Sequence, residues 1–370
     1  MKALRFGRAA AVISVAALAL TACGSDNATG DSAATGEAAE GASVSGNLTG
    51  AGSSAQNAAM IAWQDGFATV NPGATVQYSP DGSGAGREAF LAEAVPFAGS
   101  DAYLDDEEYA ASQEICGPDG AINIPVYVSP IAVAFNLEGV DTLNLDAETI
   151  ASIFRGEIST WDDEAIASQN PDAELPSTPI TVVHRSDDSG TTENFTEYLA
   201  AAAPEVWTDE ADGAWPAAIV AENAQGNNGV VSTTTSTDGA ITYADASVVG
   251  DLGTVAVQVG EEYVPYSPEA AAAAVDAATP VEGRSDVDMS LELERDTEEA
   301  GTYPIVLVSY HIVCSTYEDQ ETVDLVKAFE SYVISEDGQQ TAEGSAGNAP
   351  ISETVRTDAQ TAIDSITVAS

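Results

Sequence analysis

The sequence is poor in basic residues and in the residue types that bind metals. Of its 370 residues, 10 are lysine or arginine and 60 are aspartate or glutamate, which gives a formal net charge of −50 at pH 7. A chain this acidic repels nucleic acid and anionic membrane surfaces, so we expect neither as a partner. Because it has only two histidines, His184 and His311, three cysteines and no CxxC motif, we also expect no metal site and no cofactor.

The apolar run near the N-terminus is too short to span a membrane. It covers residues 9–20, whereas a membrane-spanning helix needs about 20 apolar residues. Basic residues precede the run and small residues follow it, which is typical of an export signal over residues 1–22. The end of this segment, Leu20-Thr-Ala-Cys23, resembles a bacterial lipobox, in which the cysteine is diacylated and becomes the first mature residue. The alternative is an ordinary secretory signal cleaved near Ala22.

The segment after Cys23 has the composition of a linker. Residues 24–44 are small, polar and acidic, and none is aromatic, so they cannot bury a core. We therefore interpret residues 23–44 as a lipid-anchored flexible tether. Residues 45–370 are too many for one simple core and suit two lobes. The expected location is the outer face of the cytoplasmic membrane.

The remaining cysteines, Cys116 and Cys314, form an even pair in a chain that is expected to be exported. Disulfides persist in such an oxidising environment. We therefore expect these two residues to be bonded to each other. Two separate buried thiols are the alternative.

Periodicity indicates an alternation of strands and helices, which is typical of a parallel α/β fold. We predict a glycine-rich loop over residues 81–86, followed by a helix through residue 91, and a strand followed by a crossing segment over residues 122–136. Other predicted strands cover residues 44–50, 75–78, 95–101, 179–184, 240–243 and 303–310, and predicted helices cover residues 55–70, 146–154, 161–166, 267–278, 321–335 and 353–363.

Loops rich in glycine and serine follow four of the predicted strands. In open α/β sheets, ligands bind beyond the carboxyl ends of the strands, so four such loops can line one pocket. The loops are Gly50–Ser54, Gly82–Gly84, Gly99–Asp101 and Arg185–Thr191.

The last of these loops places an arginine among hydroxyl and small residues. The guanidinium of Arg185 can bind a tetrahedral oxyanion through two charge-assisted hydrogen bonds. Ser189–Thr191 adds hydroxyls and backbone N–H groups. If residues 193–199 are helical, these groups lie at a helix N-terminus, which attracts anions. The loop therefore predicts an oxyanion site, and the alternative is a capped helix start with a solvated arginine.

In this order, the four loops resemble those of the phosphate-binding protein of the phosphate-specific ABC importer. That family has a GAG-[AS]-[ST]-F loop, a GSSGG-like loop, a G-x-SD loop and an RxDGSGT loop. Ser159–Ile166, Gly226–Val230 and Ala240–Tyr243 also match its second lobe. The resemblance runs from residue 46 to residue 356. It implies an α/β, two-lobe periplasmic-binding-protein fold of type II, with two chain crossovers between the lobes and phosphate buried in the cleft.

The resemblance also implies boundaries and roles. Lobe one would be residues 45–126 and 304–370, and lobe two residues 127–303, which puts both remaining cysteines in lobe one. Ser54 and Ser83 would donate hydroxyls, Ala55 would donate its backbone N–H, and Asp187 would hold the guanidinium of Arg185. The implied phosphate-binding set is Ser54, Ala55, Ser83, Asp101, Arg185, Asp187, Ser189, Gly190 and Thr191.

Asp101 carries the argument for selectivity. A carboxylate beside an anion is repulsive unless it accepts a hydrogen bond from that anion, and phosphate at neutral pH keeps at least one proton. Sulfate has none, and a site built around a required hydrogen bond can reject the analogue that lacks it by about 10⁴. The alternative role for Asp101 is a helix N-cap, since acidic residues follow at 105–107.

Two residues depart from the family pattern. Ala55 stands where the family usually has phenylalanine, which makes an apolar wall of the pocket thinner but keeps the backbone donor. Asp188 stands where the family has glycine, and it adds negative charge near an anion site. Both departures bear on the affinity rather than on the identity of the ligand.

The resemblance implies a monomeric phosphate receptor that delivers its ligand to the membrane permease subunits of an ABC importer and has no enzymatic activity. One alternative is a receptor for sulfate, molybdate or tungstate, and another is a surface adhesin or phosphate sensor on the same fold. A third is a phosphatase or serine hydrolase with Ser54, Ser83 or Ser189 as nucleophile and His184 as base, although the chain has no GxSxG motif.

Overall fold

The computed structural model of the protein describes residues 44–369. The predicted export signal, the predicted lipid attachment at Cys23 and residues 23–43 of the predicted tether lie outside the described residues. The helices are α1 (Asn57–Val70), α2 (Ser83–Leu91), α3 (Asp106–Ile115), α4 (Ala147–Phe154), α5 (Glu164–Gln169), α6 (Gly190–Ala202), α7 (Gly226–Thr235), α8 (Pro268–Asp276), α9 (Gln320–Val333), α10 (Glu336–Ala346) and α11 (Glu353–Ser365), with a 3-10 helix over Ala246–Val248.

The strands are β1 (Ser45–Gly52), β2 (Gly73–Ser79), β3 (Phe97–Ser100), β4 (Ala121–Phe135), β5 (Thr142–Leu145), β6 (Thr181–Arg185), β7 (Glu222–Ala224), β8 (Ala240–Asp245), β9 (Gly253–Val259), β10 (Glu262–Val264), β11 (Thr279–Pro280), β12 (Leu291–Glu292), β13 (Val306–Cys314), β14 (Thr316–Tyr317) and β15 (Thr367–Val368). They confirm the expected α/β class, although the sheet contains antiparallel as well as parallel pairs.

Eleven of these strands form one curled sheet. Its order is β2-β1-β3-β13-β4-β8-β6-β7, and β9 pairs with β4 and carries β5 and β10. We call β1, β2, β3 and β13 the first half of the sheet, and β5 to β10 the second half. Strand β1 is parallel to β2 and β3, and β6 is parallel to β7 and β8. The loops that follow β1, β3 and β6 therefore leave carboxyl ends of parallel strands.

Strand β4 belongs to both halves. It pairs with β13 as far as Pro130 and with β8 from Ile131 onward. Pro125 lies at a register shift in the pairing with β13, and Pro130 lies where the partner changes, two places where a strand tolerates the loss of a backbone donor. The prediction of a strand followed by a crossing segment is therefore corrected to one continuous, fully buried strand. This strand carries the chain from the first half to the second.

The chain returns to the first half before β13 begins. Arg284 donates to the carbonyl of Leu104 at 2.8 Å, and the carboxylate of Asp288 accepts from the backbone N–H of Asn123 at 2.7 Å. These contacts involve a segment that the resemblance assigns to lobe two. The two crossings of the expected two-lobe fold are present, whereas the exact boundaries of the lobes stay a prediction.

Two element boundaries differ from their predictions, and α3, α7 and α10 are not predicted from the sequence. Helix α2 begins at Ser83, so the predicted loop over 81–86 is largely helical. The helix predicted over 161–166 begins at Glu164, because Trp161 is buried and Asp163 caps the first turn. No helix is predicted from the sequence at α7, whose glycine, asparagine, serine and threonine residues favour helix weakly.

Helix α1 shows how the helices cover the sheet. Its buried Trp63 donates to the carbonyl of Gly338 in α10 at 2.9 Å, and Phe67 packs edge-on against Phe329 of α9 at 5.4 Å between ring centroids. Aromatic pairs of this kind add to the free energy that burial supplies. Of the helices that the structure describes, none is both long enough and apolar enough to cross a membrane.

The expected disulfide is present. Cys116, at the end of α3, is bonded to Cys314, the last residue of β13, across a sequence separation of 198 residues. Both residues are buried. The bond therefore ties the end of α3 to β13, the strand of the first half that lies next to β4, and the alternative of two separate thiols is wrong.

Replacing both cysteines by serine should lower the free energy of unfolding by about 2–5 kcal/mol, since the bond restricts a long loop in the unfolded chain. Urea denaturation of the exported form would measure the difference. Dithiothreitol should destabilise the parent protein and leave the Cys116→Ser/Cys314→Ser variant unchanged. Equal stability of the two proteins without reductant would contradict this account.

Candidate oxyanion-binding site

The residues predicted to bind an oxyanion lie together where loops from both halves of the sheet meet. Ser54 follows β1, Ser83 opens α2, Asp101 follows β3 and Arg185 ends β6. The backbone N–H of Asp101 donates to Ser83 Oγ at 3.1 Å, and Thr191 Oγ1 donates to Asp101 Oδ2 at 3.2 Å. The four loops therefore form one site, as their order in the sequence predicts.

Arg185 is buried and held in one orientation. Only 2% of the residue is exposed, its Nε donates to Asp187 Oδ1 at 2.9 Å, and its Nη2 donates to Asp187 Oδ2. Burial acts to raise the pKa of Asp187, but hydrogen bonds and attraction from Arg185 outweigh it, so this pKa is lowered and the carboxylate is ionised. Nη1 faces Thr191 Oγ1 at 3.4 Å. The alternative of a solvated arginine is wrong.

Asp101 is the buried acceptor of the site, with 3% exposed. Ser53 Oγ and Ser309 Oγ both donate to its Oδ1, at 2.6 and 2.7 Å, whereas Oδ2 accepts only the longer bond from Thr191. Burial raises the pKa of Asp101, and the bonds from Ser53 and Ser309 and the charge of Arg185 oppose the increase. Oδ1 is therefore well occupied, and Oδ2 is the oxygen better placed to accept a hydrogen from a ligand.

The N-cap role considered for Asp101 belongs to another residue. Asp105 caps α3: its carboxylate accepts from the backbone N–H of Glu108 at 2.7 Å, and Glu108 accepts from the backbone N–H of Asp105 at 3.1 Å. This reciprocal pair is a capping box. Asp101 is thus not needed for the helix, and the N-cap interpretation is wrong.

Three hydroxyls face the same region, and each already accepts a hydrogen bond from the protein. Ser54 Oγ accepts from the backbone N–H and the Nδ2 of Asn227, at 3.2 and 3.1 Å, and Ser83 Oγ accepts from Asp101. Thr191 Oγ1 accepts from Asn227 Nδ2 at 3.3 Å. Because Ser54 and Ser83 act as acceptors in these bonds, their own hydrogens remain available to an anion.

Helix N-termini supply further donors. Ser83 is the first residue of α2, Asn227 lies in the first turn of α7, and α6 begins at Gly190, directly after its N-cap Ser189. The hydroxyl of Ser189 accepts from Thr192 N–H at 3.2 Å, so it closes the helix end as well as bordering the site. Backbone N–H groups at helix N-termini carry partial positive charge and stabilise anions.

Gly190 is required by a close approach. A Cβ atom added there would lie 2.7 Å from Ser83 Oγ and 2.8 Å from Asp101 Cβ, both too close for non-bonded contact. The first turn of α6 can therefore lie against the β3 loop only because this residue has no side chain. This contact joins the two halves of the sheet at the site.

The two departures from the family pattern have different consequences. The backbone N–H of Ala55 donates to Ser53 Oγ at 3.0 Å, so this donor supports the serine that holds Asp101. Asp188 has a half-exposed side chain, 3.9 Å from the guanidinium of Arg87. Among the described residues other than glycine, only Glu93 has a positive φ, so the backbone at Asp188 does not require glycine.

A cavity of about 540 Å³ adjoins the site at Asp101. Glu193, Glu197 and Arg295 lie on its wall. Burial raises the pKa of Glu193 to about 7, despite the attraction of Arg87. Carboxylates on this side do not attract an anion, so binding depends on the donors inside the site.

Sequence reasoning missed three residues of the site. Ser53 and Ser309 donate to Asp101, and Asn227 bridges Ser54 and Thr191. Asn227 lies in a segment that carries the family resemblance, so the motif contained a signal for it. The signal for Ser309 is weaker: it is one of two polar residues, with His311, in a strand that is mostly apolar.

Comparison with known proteins defines the class first. The model of the PBP superfamily domain matches residues 37–337. A phosphate-bound structure of the high-affinity periplasmic phosphate-binding protein PfluDING has the same fold, with a TM-score of 0.68 and 23% identity over 85% of this chain and 93% of that one. A phosphate-binding protein from Stenotrophomonas maltophilia gives a TM-score of 0.64 and 20% identity over 85% and 93%. The protein thus has the two-lobe fold of this superfamily.

Relatives of known sequence then give the particular family. Phosphate-binding protein PstS3 of Mycobacterium bovis is 38% identical over 377 residues, which cover 99% of this chain and all of the relative. PstS 3 of Mycobacterium leprae is 37% identical over 99% of this chain and all of the relative, and PstS 2 of Mycobacterium tuberculosis is 36% identical over 89% and 90%. The chain belongs to the PstS family of phosphate-binding proteins.

The buried ion pair of the site should contribute to stability. Asp187→Asn should lower the free energy of unfolding at neutral pH by about 3 kcal/mol, because it leaves the buried charge of Arg185 uncompensated. The pKa of Asp187 is lowered in the folded state. Its contribution is therefore present above the ordinary pKa of aspartate and is lost as the pH falls through the lowered value.

Urea denaturation at neutral and acidic pH would test this, with Asp209→Asn as the matched control. Asp209 pairs with Arg155 at 2.5 Å, but both side chains of that pair are about a quarter to a third exposed, at 24% and 31%. The control should therefore cost at most about 1 kcal/mol. A loss for Asp187→Asn that does not shrink in acid would contradict the assignment.

Proposed function

We propose that the protein is an extracytoplasmic receptor that binds inorganic phosphate between its two lobes and delivers it to the permease subunits of an ABC importer. The single observation that carries the proposal is the buried carboxylate of Asp101, placed among hydroxyl and arginine donors. The PstS names of the relatives support it, as do the phosphate-bound structures that share the fold.

The donor set suits a partly protonated tetrahedral oxyanion. Arg185 supplies the one guanidinium, Ser54 and Ser83 supply hydroxyl hydrogens, and the first turn of α6 supplies backbone N–H groups. Asp101 accepts the hydrogen that the ligand carries. Sulfate, which carries none at neutral pH, would place its charge against an acceptor that it cannot satisfy. The same argument disfavours molybdate and tungstate.

Closure of two lobes would assemble this set. We assign lobe one to residues 45–126 and 304–370 and lobe two to residues 127–303, so Asp101 and Thr191 belong to different lobes. Their contact, together with the bonds from Asn227 to Ser54 and from Asn194 Nδ2 to the carbonyl of Asp101 at 2.7 Å, joins the lobes. A ligand that binds these groups favours the closed state, which is the form we expect the permease to recognise.

We propose no enzymatic role for the serines of the site. The ring of His184 stacks on Trp215, with centroids 4.9 Å apart, and its Nδ1 lies 2.7 Å from the carbonyl of Arg185. His311 contacts Gln56 and Glu330. Within residues 44–369, neither histidine is hydrogen-bonded to a serine hydroxyl, which is the arrangement that a serine nucleophile needs.

The position of the receptor in the cell is part of the proposal. We infer that the chain is exported, cleaved before Cys23 and anchored by lipid to the outer face of the cytoplasmic membrane as a monomer. Its disulfide agrees with an oxidising environment. Metabolic labelling with a fatty acid, followed by comparison with Cys23→Ala, would test the anchor. Membrane retention and labelling of the variant would contradict it.

The site assignment predicts two different losses. Asp101→Asn should narrow the gap between the affinities for phosphate and for sulfate, because the amide can donate to an unprotonated oxyanion. Arg185→Ala should abolish binding of both anions, because the buried cation is lost. Calorimetric titration of residues 24–370, stripped of bound ligand, would measure each affinity at matched pH and salt.

Arg155→Ala serves as the control, since Arg155 forms its ion pairs with Glu157 and Asp209 rather than with site residues. If both Asp101→Asn and Arg185→Ala bind phosphate with the affinity of the parent protein, the site assignment is wrong. Tight binding of sulfate or molybdate by the parent protein, with none of phosphate, would keep the fold and overturn the ligand. No heat from any oxyanion would favour an adhesin or sensor on this fold.

The affinity for phosphate should also depend on pH. Because burial raises the pKa of Asp101, this group should take up a proton at a higher pH than an ordinary aspartate as the solution is acidified. The protonated form cannot accept the ligand hydrogen through that oxygen, so binding should weaken in this range. Titrations from neutral pH downward would follow the loss, which Asp101→Asn should lack. Parallel profiles for the parent and this variant would count against Asp101 as the acceptor.

A further inference from the structure

Two polar side chains interrupt an otherwise apolar strand. Strand β13 reads VLVSYHIVC, and all nine residues are buried. Alternate side chains of a strand point to the same face of the sheet, so Ser309 and His311 share one face. On that face both meet the residue that precedes α1.

That residue is Gln56, and its amide joins the two side chains. Its Nε2 donates to Ser309 Oγ at 2.7 Å, and its Oε1 lies 2.8 Å from His311 Nε2. Ser309 Oγ in turn donates to Asp101 Oδ1 at 2.7 Å. Gln56, Ser309 and His311 are fully buried. The imidazole is therefore linked to the acceptor of the site through two side chains.

Glu330 of α9 ends this chain of contacts. Its Oε2 lies 2.7 Å from His311 Nδ1, and neither side chain is exposed. The rings of Trp63, Phe97 and Phe329 surround the imidazole. Replacing a buried ionisable pair by apolar residues is often neutral or stabilising, so stability alone does not explain a histidine and a glutamate in an aromatic pocket.

The hydrogen bonds that connect His311, Gln56, Ser309 and Asp101 all run in one direction, toward Asp101. Because Gln56 Nε2 donates to Ser309, its Oε1 must accept from His311 Nε2–H. Because Ser309 accepts from Gln56, it can give its own hydrogen to Asp101, whose Oδ1 is nearer than the carbonyl of Ser100 at 3.4 Å. A further hydrogen lies between His311 Nδ1 and Glu330. Each donor from the imidazole onward thus points toward Asp101.

We propose that His311 and Glu330 are positioning residues for Asp101: through Gln56 and Ser309 they hold it ionised, with Oδ1 occupied and Oδ2 turned to accept a ligand hydroxyl. The inference rests on the proposed phosphate function. It deepens that function by naming the groups that set the preference for a protonated oxyanion.

The protonation state of Asp101 determines how anion selectivity changes when this series of hydrogen bonds is interrupted. Without His311 the Gln56 amide can turn so that its Oε1 accepts the hydrogen of Ser309. Asp101 then has one donor fewer, and its carboxylate takes up a proton more readily. A protonated Asp101 can donate to sulfate and no longer accepts from phosphate through that oxygen. The ratio of the affinity for phosphate to that for sulfate should therefore fall, whereas damage to the fold would lower both affinities together.

The test uses the double variant His311→Phe/Glu330→Leu, which keeps an aromatic ring among Trp63, Phe97 and Phe329 and removes both ionisable groups. Because the buried Gln56 amide loses a partner, we expect it to unfold at a somewhat lower urea concentration than the parent but to remain folded in buffer. The phosphate-to-sulfate affinity ratio, measured by calorimetry, should fall about tenfold or more, as for the loss of one hydrogen bond to a charged group.

Two further variants test whether the donor N–H at position 311 and the hydroxyl of Ser309 carry the effect. His311→Gln retains an N–H that can donate to Gln56 and should keep most of the selectivity, whereas Ser309→Ala removes the last donor and should lose as much selectivity as the double variant. The role of His311 and Glu330 would be overturned if the double variant folds and keeps the phosphate-to-sulfate affinity ratio of the parent. It would also be overturned if Ser309→Ala loses selectivity and the double variant does not. Failure of the parent protein to bind phosphate at all would instead overturn the proposed function.

Discussion

The burial of the Asp101 carboxylate is the constraint on which the rest of the site depends. A carboxylate without water must receive its hydrogen bonds from the protein or lose its charge. Here Ser53 and Ser309 come from the first half of the sheet and Thr191 from the second. Satisfying one buried group thus fixes the positions of three loops and strands relative to each other. The same bonds that retain the charge leave one oxygen for the ligand.

The scarcity of cations explains why backbone groups matter so much here. A chain with a net charge of −50 has a long-range field that opposes an anion, which salt screens over about 10 Å at 0.1 M. Within the site, the guanidinium of Arg185 supplies positive charge, and the carboxylate of Asp187 compensates much of that charge. The N-termini of α2, α6 and α7 add partial positive charges that need no lysine, although the backbone N–H of Gly226 at the start of α7 already donates to Asp187. Affinity for an anion can therefore coexist with an acidic surface.

Much of the site was predictable because its chemistry is local in sequence. Glycine, serine and arginine in short loops after strands predicted Ser83, Asp101 and Arg185, and the structure places them together. The remaining contributions depend on residues far apart in the chain: Ser309 lies 208 positions from Asp101, and Gln56 lies 253 from Ser309. Helix α7 was missed for a different reason, since packing against β6 and β8 stabilises residues that favour helix weakly on their own. Local patterns cannot report pairings of either kind.

The polar residues of the core separate the requirements of folding from those of recognition. Strand β13 is held by its pairing with β3 and β4 and by the disulfide, and the rings around position 311 could equally pack against an apolar side chain. The histidine instead faces Gln56 and Glu330, and their bonds lead toward the acceptor of the site. A serine hydroxyl donates to an ionised carboxylate and can accept only from a protonated one, and only the ionised state keeps Asp101 an acceptor for the ligand. On our proposal, this buried series of hydrogen bonds selects the direction of the bond from Ser309 to Asp101, and a preference for a protonated anion would follow from that direction.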